Sequence, residues 1–384
     1  MTTRARKNSR LIANRESWSL TSSTVELALT CEGGHMAPVV FDRRGRKLQP
    51  FSVAPWHGEK LAPSIPPLLR NLRGDFFCLP FGGNDRPWKG KKLLPHGETA
   101  NRPWKLEKIL HDSGDHILHV SQRQKDLGGR VDKILMLRDG HNAVYARHII
   151  QGISGAMNFG HHATLKFPGT EGSGIISTSP FQYGEVYPNG FEKPENGGYC
   201  ALKAGATFKS LTRVALANGG FTDLSRYPAR KGFEDIVMMA SDQSLPFAWT
   251  AVSFPREGCV WFSLKDPRKL RQTIFWISNG GRHYAPWNGR HTGVMGLEDV
   301  TTYYGAGIRE SSGKNSFSRR GFPTSENLSA KTPFTISYIM ACIPAPAGFG
   351  RVDKISATDN AVTLHSGRKS VATPLDIGFL FESP

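Results

Sequence analysis

Three short segments of this chain carry side chains that could do proton chemistry on a small polar ligand. The first runs from Arg73 to Trp104, RGDFFCLPFGGNDRPWKGKKLLPHGETANRPW. Its five glycines and four prolines oppose a regular helix. Phenylalanine and tryptophan rings alternate there with the planar or charged donors Arg73, Asn84, Arg86, His96, Asn101 and Arg102, a mixture suited to sugars and anions. Within it, Pro95-His96-Gly97 holds a histidine in a tight turn. The second segment, Asn158 to Leu165, contains the adjacent pair His161-His162. On a strand, neighbours point to opposite faces, so only one of the two can face a pocket. The third, Trp287 to Asp299, ends in Val294-Met295-Gly296-Leu297-Glu298-Asp299 and puts Glu298 at the end of an apolar run, where burial raises a carboxyl's proton affinity toward that of a useful base.

Metal chemistry finds little support in these spacings. No H-x-H or H-E-x-x-H occurs beside the histidines, and no cysteine lies at ligand spacing from them. The reading is acid–base chemistry with neither metal nor cofactor.

Length and composition set the frame around the three segments. A chain of 384 residues can bury a large core without staples. Its five cysteines, Cys31, Cys78, Cys200, Cys259 and Cys342, are odd in number and widely spaced, which argues for reduced thiols. The 49 Lys plus Arg outnumber the 32 Asp plus Glu, for a formal charge of +17. The basic residues are dispersed, with knots only at Arg43–Lys47, Lys89–Lys92 and Arg319–Arg320, so a nucleic-acid partner is set aside in favour of a small molecule, neutral or anionic. The N-terminal stretch lacks the apolar core of a signal peptide and no run is long enough to span a bilayer; the expectation is a cytoplasmic protein with no membrane partner, monomeric or homodimeric.

The elements that must position these residues read as strands. Apolar, β-branched runs begin at Val25, Val131, Ala143, Phe247, Cys259, Gln272 and Phe334, most of them separated by Gly, Pro, Asn or Asp. No helical period persists beyond two or three turns. The predicted class is all-β, a large antiparallel sandwich or barrel, with residues 1–15 as a poorly ordered tail and 16–384 as one domain.

Taken in order, the segments resemble the aldose 1-epimerases, or galactose mutarotase-like proteins, and among them the branch that includes hexose-6-phosphate epimerases. Arg73-Gly74-Asp75 through Phe81-Gly82 is similar to that branch's arginine–glycine–glycine, apolar, proline, aromatic, glycine signature. Pro95-His96-Gly97 followed by Trp104 resembles the family's proline–histidine–glycine turn, His162 its strand histidine and Gly296-Leu297-Glu298 the segment bearing its catalytic glutamate. The resemblance covers roughly Arg73 to Asp299 and implies a β-supersandwich with its site in a cleft on one sheet. It also implies roles. Glu298 takes the proton of the anomeric hydroxyl while His162 protonates the ring oxygen, and the opened hemiacetal recloses on its other face. Arg73 and His96 hold sugar hydroxyls, joined by Asn84 and Arg102 from the same segment. Asp235, in Gly232-Phe233-Glu234-Asp235, is the candidate acid of a later strand, with Glu234 its immediate neighbour. Where the phosphohexose branch has an arginine just after the turn, this chain has Ala100, so phosphorylation of the sugar is left open. The alternatives are a non-catalytic carbohydrate-binding protein on the same scaffold and, behind it, a polysaccharide lyase.

Overall fold

The structure is a computed structural model and describes residues 9–382. All seven apolar runs form strands: Glu26–Thr30, Arg130–Arg138, Ala143–Gln151, Ala248–Phe254, Cys259–Lys265, Gln272–Asn279 and Phe334–Pro344. They belong to antiparallel sheets, and helix is confined to short turns. Of the segment read as a tail, the first eight residues lie outside the described residues, while Arg10–Ile12 is a strand paired with Arg15–Thr21.

Two sheets make up the body. A nine-stranded sheet has Cys259–Lys265 and Phe334–Pro344 near its centre. An eight-stranded sheet runs through Phe233–Ser241, Gln272–Asn279 and Val294–Thr301, then on to Phe159–His161 and Phe77–Cys78. Between them lies a core that includes Val237, Phe275 and Leu297 from one sheet and Val252, Trp261 and Met340 from the other. Each sheet also has a covered outer face. A small sheet from Lys354 to Pro374 closes that of the nine-stranded sheet over Val260, Phe262 and Ile339. Loop residues Trp56, Trp287, Tyr303 and Phe317 pack on that of the eight-stranded sheet over Ile236, Met238, Ile274 and Trp276. Burial on both faces explains why these strands read as unbroken apolar runs rather than as alternations: Gln272–Asn279 and Val294–Thr301 are buried at every residue.

Among the described residues no helix is long and apolar enough to cross a membrane. All five cysteines are free.

Candidate active site

The outer face of the eight-stranded sheet brings Glu298, His162 and His96 together. Phe159–His161 and Ala163–Lys166 both pair with Val294–Thr301, in one continuous register: Gly160 faces Val300 and Ala163 faces Leu297. His162 therefore sits across from Glu298, and side chains directly opposite in an antiparallel pair share a face. His162 Nε2 lies 3.1 Å from Glu298 Oε1. Gly296 makes the approach possible, because a Cβ there would stand 2.6 Å from that oxygen.

The imidazole of His162 is fixed from several sides. It stacks on Phe76 at 4.4 Å, meets Trp276 edge-on at 5.5 Å, and approaches Thr164 Oγ1 through Nδ1 at 3.2 Å. The Thr164 hydroxyl donates to the His162 carbonyl, so it receives Nδ1–H and leaves Nε2 as the acceptor facing Glu298. His96 completes the group, its ring 5.3 Å from that of His162 and 4.7 Å from Phe81. Its backbone has φ of 57°, and the next residue must be glycine: a Cβ on Gly97 would fall 1.8 Å from the Leu79 carbonyl oxygen. His96 Nδ1 is buried without a partner.

Electrostatically this is a site of neutral groups. Burial pushes the Glu298 carboxyl well above its usual range, with no cation close enough to oppose it. Burial pushes His162 well down, and His96 down to about 4. A formed ion pair would shift both partners of the pair the other way. Both directions favour a protonated Glu298 donating to neutral His162 over an ion pair, an acid and a base placed to share one proton.

Next to the pair stands a second polar group. Glu234 lies on the same face, its strand neighbour Ser278 donating to Oε1 at 2.8 Å and Trp276 Nε1 to Oε2 at 3.2 Å. Burial raises its carboxyl to about 7, opposed by Arg282. His291 stacks on Trp276 and meets Ser278 Oγ at 2.7 Å, and the Arg282 guanidinium lies over Trp287 and Trp276. Trp56 and Trp287 meet edge-on at 4.8 Å, and an ion pair between Arg290 and Glu59 joins the loops that carry them. Phe76, Phe81 and Trp276 enclose the acid–base pair, and Glu298 is 2% and His162 6% exposed.

The other residues singled out in the sequence are placed elsewhere. Asp235 projects from the opposite face to Glu234, as strand alternation requires, and accepts from the amides of Ala201 and Leu202. Arg73 is buried and donates to the carbonyls of Asn71 and Ala13, which ties it to the N-terminal segment. The Asn84 amide is taken up by the carbonyls of Pro80, Gly82 and Leu94 and by the Ile308 amide, so it organises loops. Arg102 pairs with Glu98 at 2.7 Å. Sequence alone leaves Asp235 and Glu234 as alternatives for the acid of this strand and assigns no role to Trp276 or His291; the outer face takes Glu234. Phase along Phe233–Ser241 could have found Glu234, which falls in step with Ile236 and Met238 on the outer face.

No protein-family model and no curated protein sequence matches the chain. Solved structures do. A galactose mutarotase related enzyme from Lactobacillus acidophilus aligns with TM-score 0.53 and 11% identity, over 86% of this chain and 98% of its own. A galactose mutarotase-like protein from Clostridium acetobutylicum aligns with TM-score 0.57 and 9% identity, over 88% and 98%. An aldose epimerase homologue from C. elegans aligns with TM-score 0.55 and 12% identity, over 86% and 100%. The fold is therefore the galactose mutarotase-like β-sandwich.

Proposed function

We propose that the protein is an aldose 1-epimerase-like isomerase that interconverts the α and β anomers of a hexose or modified hexose. The observation that carries this reading is the 3.1 Å contact between the buried side chains of His162 and Glu298, an acid and a base placed to share one proton, on the face of a mutarotase-like sheet. Mutarotation needs a proton removed from the anomeric hydroxyl and another delivered to the ring oxygen, with no net change in charge. On sugar binding the shared proton passes to His162 Nε2. Glu298 then accepts the hydroxyl proton while the imidazolium protonates the ring oxygen, which breaks the bond from C1 to that oxygen. Rotation about C1–C2 and the reverse transfers close the ring on its other face and restore the pair. His96 Nδ1 and Glu234 are the hydroxyl-holding groups, and Trp276 supplies an apolar wall. No cofactor enters these steps. The substrate is a free small-molecule sugar, and the chain is read as a cytoplasmic monomer or homodimer.

A second reading, a carbohydrate-binding protein without catalysis, rests on one observation: Glu298 and His162 are almost fully covered, so in this conformation the acid–base pair does not reach a bound sugar. Saturation-transfer NMR of anomeric exchange distinguishes the two. Several neutral and acidic hexoses should exchange faster with the wild type than in buffer, and Glu298→Gln should lower that acceleration by about 10²–10⁴-fold. Saturable sugar binding with no accelerated exchange would leave the binding-protein reading in its place.

A further inference from the structure

A groove of about 410 Å³ opens at one end of the sandwich, lined by none of the residues assigned above to the sugar site. Its walls come from the end of Ala163–Lys166, the turn before Phe233–Ser241, and the junction of Gln272–Asn279 with Val294–Thr301. We infer that this groove is a separate binding site for the oxyanion of a small acidic ligand. The inference goes beyond the mutarotase reading and does not depend on it.

Charge is the first argument. Lys166, Arg230 and Lys231 line the groove against a single carboxylate, Glu171. Both lysines are exposed, and neither ammonium pairs with any described residue. Arg230 is the second. One of its nitrogens, Nη1, donates to Thr222 Oγ1 at 2.8 Å, but Nε and Nη2 are buried with no partner. Buried guanidinium nitrogens are normally paired, and an Nε/Nη2 edge matches the two oxygens of a carboxylate or phosphate. The nearby Asp235 does not fill this role, because its oxygens accept from backbone amides. The third argument is that the walls are fixed before any ligand arrives. Asn279 Nδ2 donates to the Ala229 carbonyl at 2.8 Å and its Oδ1 accepts from the Gly293 amide at 3.0 Å, so one side chain joins two sides of the groove. A concave site lined by two unpaired lysines, with an arginine whose Nε/Nη2 edge a small turn of the side chain would bring to the groove, suits an anion small enough to enter it.

The test is titration of the full chain with inorganic phosphate, inorganic sulfate and glucuronate, with glucose as the uncharged control, followed by calorimetry and by amide shifts in NMR. Saturable binding of at least one anion is expected, weakened by salt, with the Lys231, Thr292 and Gly293 amides moving. Phosphate or sulfate alone would define a tetrahedral oxyanion site, glucuronate alone a carboxylate site. Charge reversal by Lys166→Glu with Lys231→Glu should weaken binding at least about tenfold, and the milder Lys166→Gln with Lys231→Gln by less. Glu298→Gln should leave it unchanged, which separates this groove from the sugar site. The proposal falls if none of the three anions binds saturably, or if binding survives the double reversal in a folded variant.

Discussion

Glu298 and Asp299 are consecutive acids on one strand, both at most 2% exposed, and they face opposite sides of the same sheet. Asp299 points into the space between the sheets and is fully partnered. Lys265 Nζ and Thr273 Oγ1 each stand 2.7 Å from Oδ1, and Ser263 Oγ and Tyr338 OH each donate to Oδ2 at 2.9 Å. Lys265, Ser263 and Tyr338 belong to the facing sheet, so this carboxylate is a polar tie across the core. Glu298 has no cation, and its Oε1 faces a neutral histidine. The contrast separates two uses of a buried acid. A carboxylate with every lone pair engaged and a counter-charge holds the fold together, whereas one left unbalanced keeps a proton it can exchange.

Breaking the satisfied side should have the largest effect. Asp299→Ala leaves Lys265 buried with its charge unmatched and should cost about 3–5 kcal/mol of stability in urea denaturation. A loss below about 1 kcal/mol would mean that the tie carries little.

Acid should act on the other face. Burial holds His35 and His291 down to about 3, against an ordinary value of 6.5, so below 6.5 the unfolded chain binds protons that the folded chain refuses. Stability then falls as pH falls. Glu234, raised to about 7 from 4.5, works in the opposite sense, since the folded chain protonates it first, and it offsets the histidines only down to about pH 4.5. Below that His35 and His291 are joined by His96, His148 and His162, which burial also holds down, and stability should drop by at least roughly 2–3 kcal/mol per pH unit in denaturant midpoints followed by tryptophan fluorescence. A flat profile between pH 4.5 and 3.5 would show that these rings are not held neutral.

Smaller effects belong to single groups of the sugar site. His162→Asn should lower the acceleration of anomeric exchange by about 10²-fold with little change in stability. Glu234→Gln should raise KM by a few-fold, roughly, and leave kcat near its starting value, the signature of a group that holds substrate equally in ground and transition states.

The strands and the three chemical segments were legible in the sequence because both depend on short-range pattern. An apolar run between turn residues announces a strand, and adjacency of His161 and His162 guarantees that one of them faces the outer side. What escaped depends on register. Glu234 and Asp235 differ only in phase, and the choice between them is set by pairing with Gln272–Asn279, where Glu234 meets Ser278 and Asp235 meets Ile277. Likewise nothing local to Arg73 says that the carbonyl of Ala13, sixty residues earlier, will take up its guanidinium. The cluster of Trp56, Trp276, Trp287 and His291 draws on three separated segments, of which only Trp287–Asp299 stands out in the sequence, and nothing local says that the other two meet it.

The most direct measurement places the two neighbouring acids side by side: anomeric exchange by saturation-transfer NMR for the wild type, Glu298→Gln and Asp299→Asn, with the urea midpoint of each. The expected result is that Glu298→Gln abolishes acceleration and folds at least as stably as the wild type, while Asp299→Asn is destabilised and still accelerates exchange whenever it is folded. Exchange that survives Glu298→Gln, or a wild type that binds sugars without accelerating their exchange, would contradict the account.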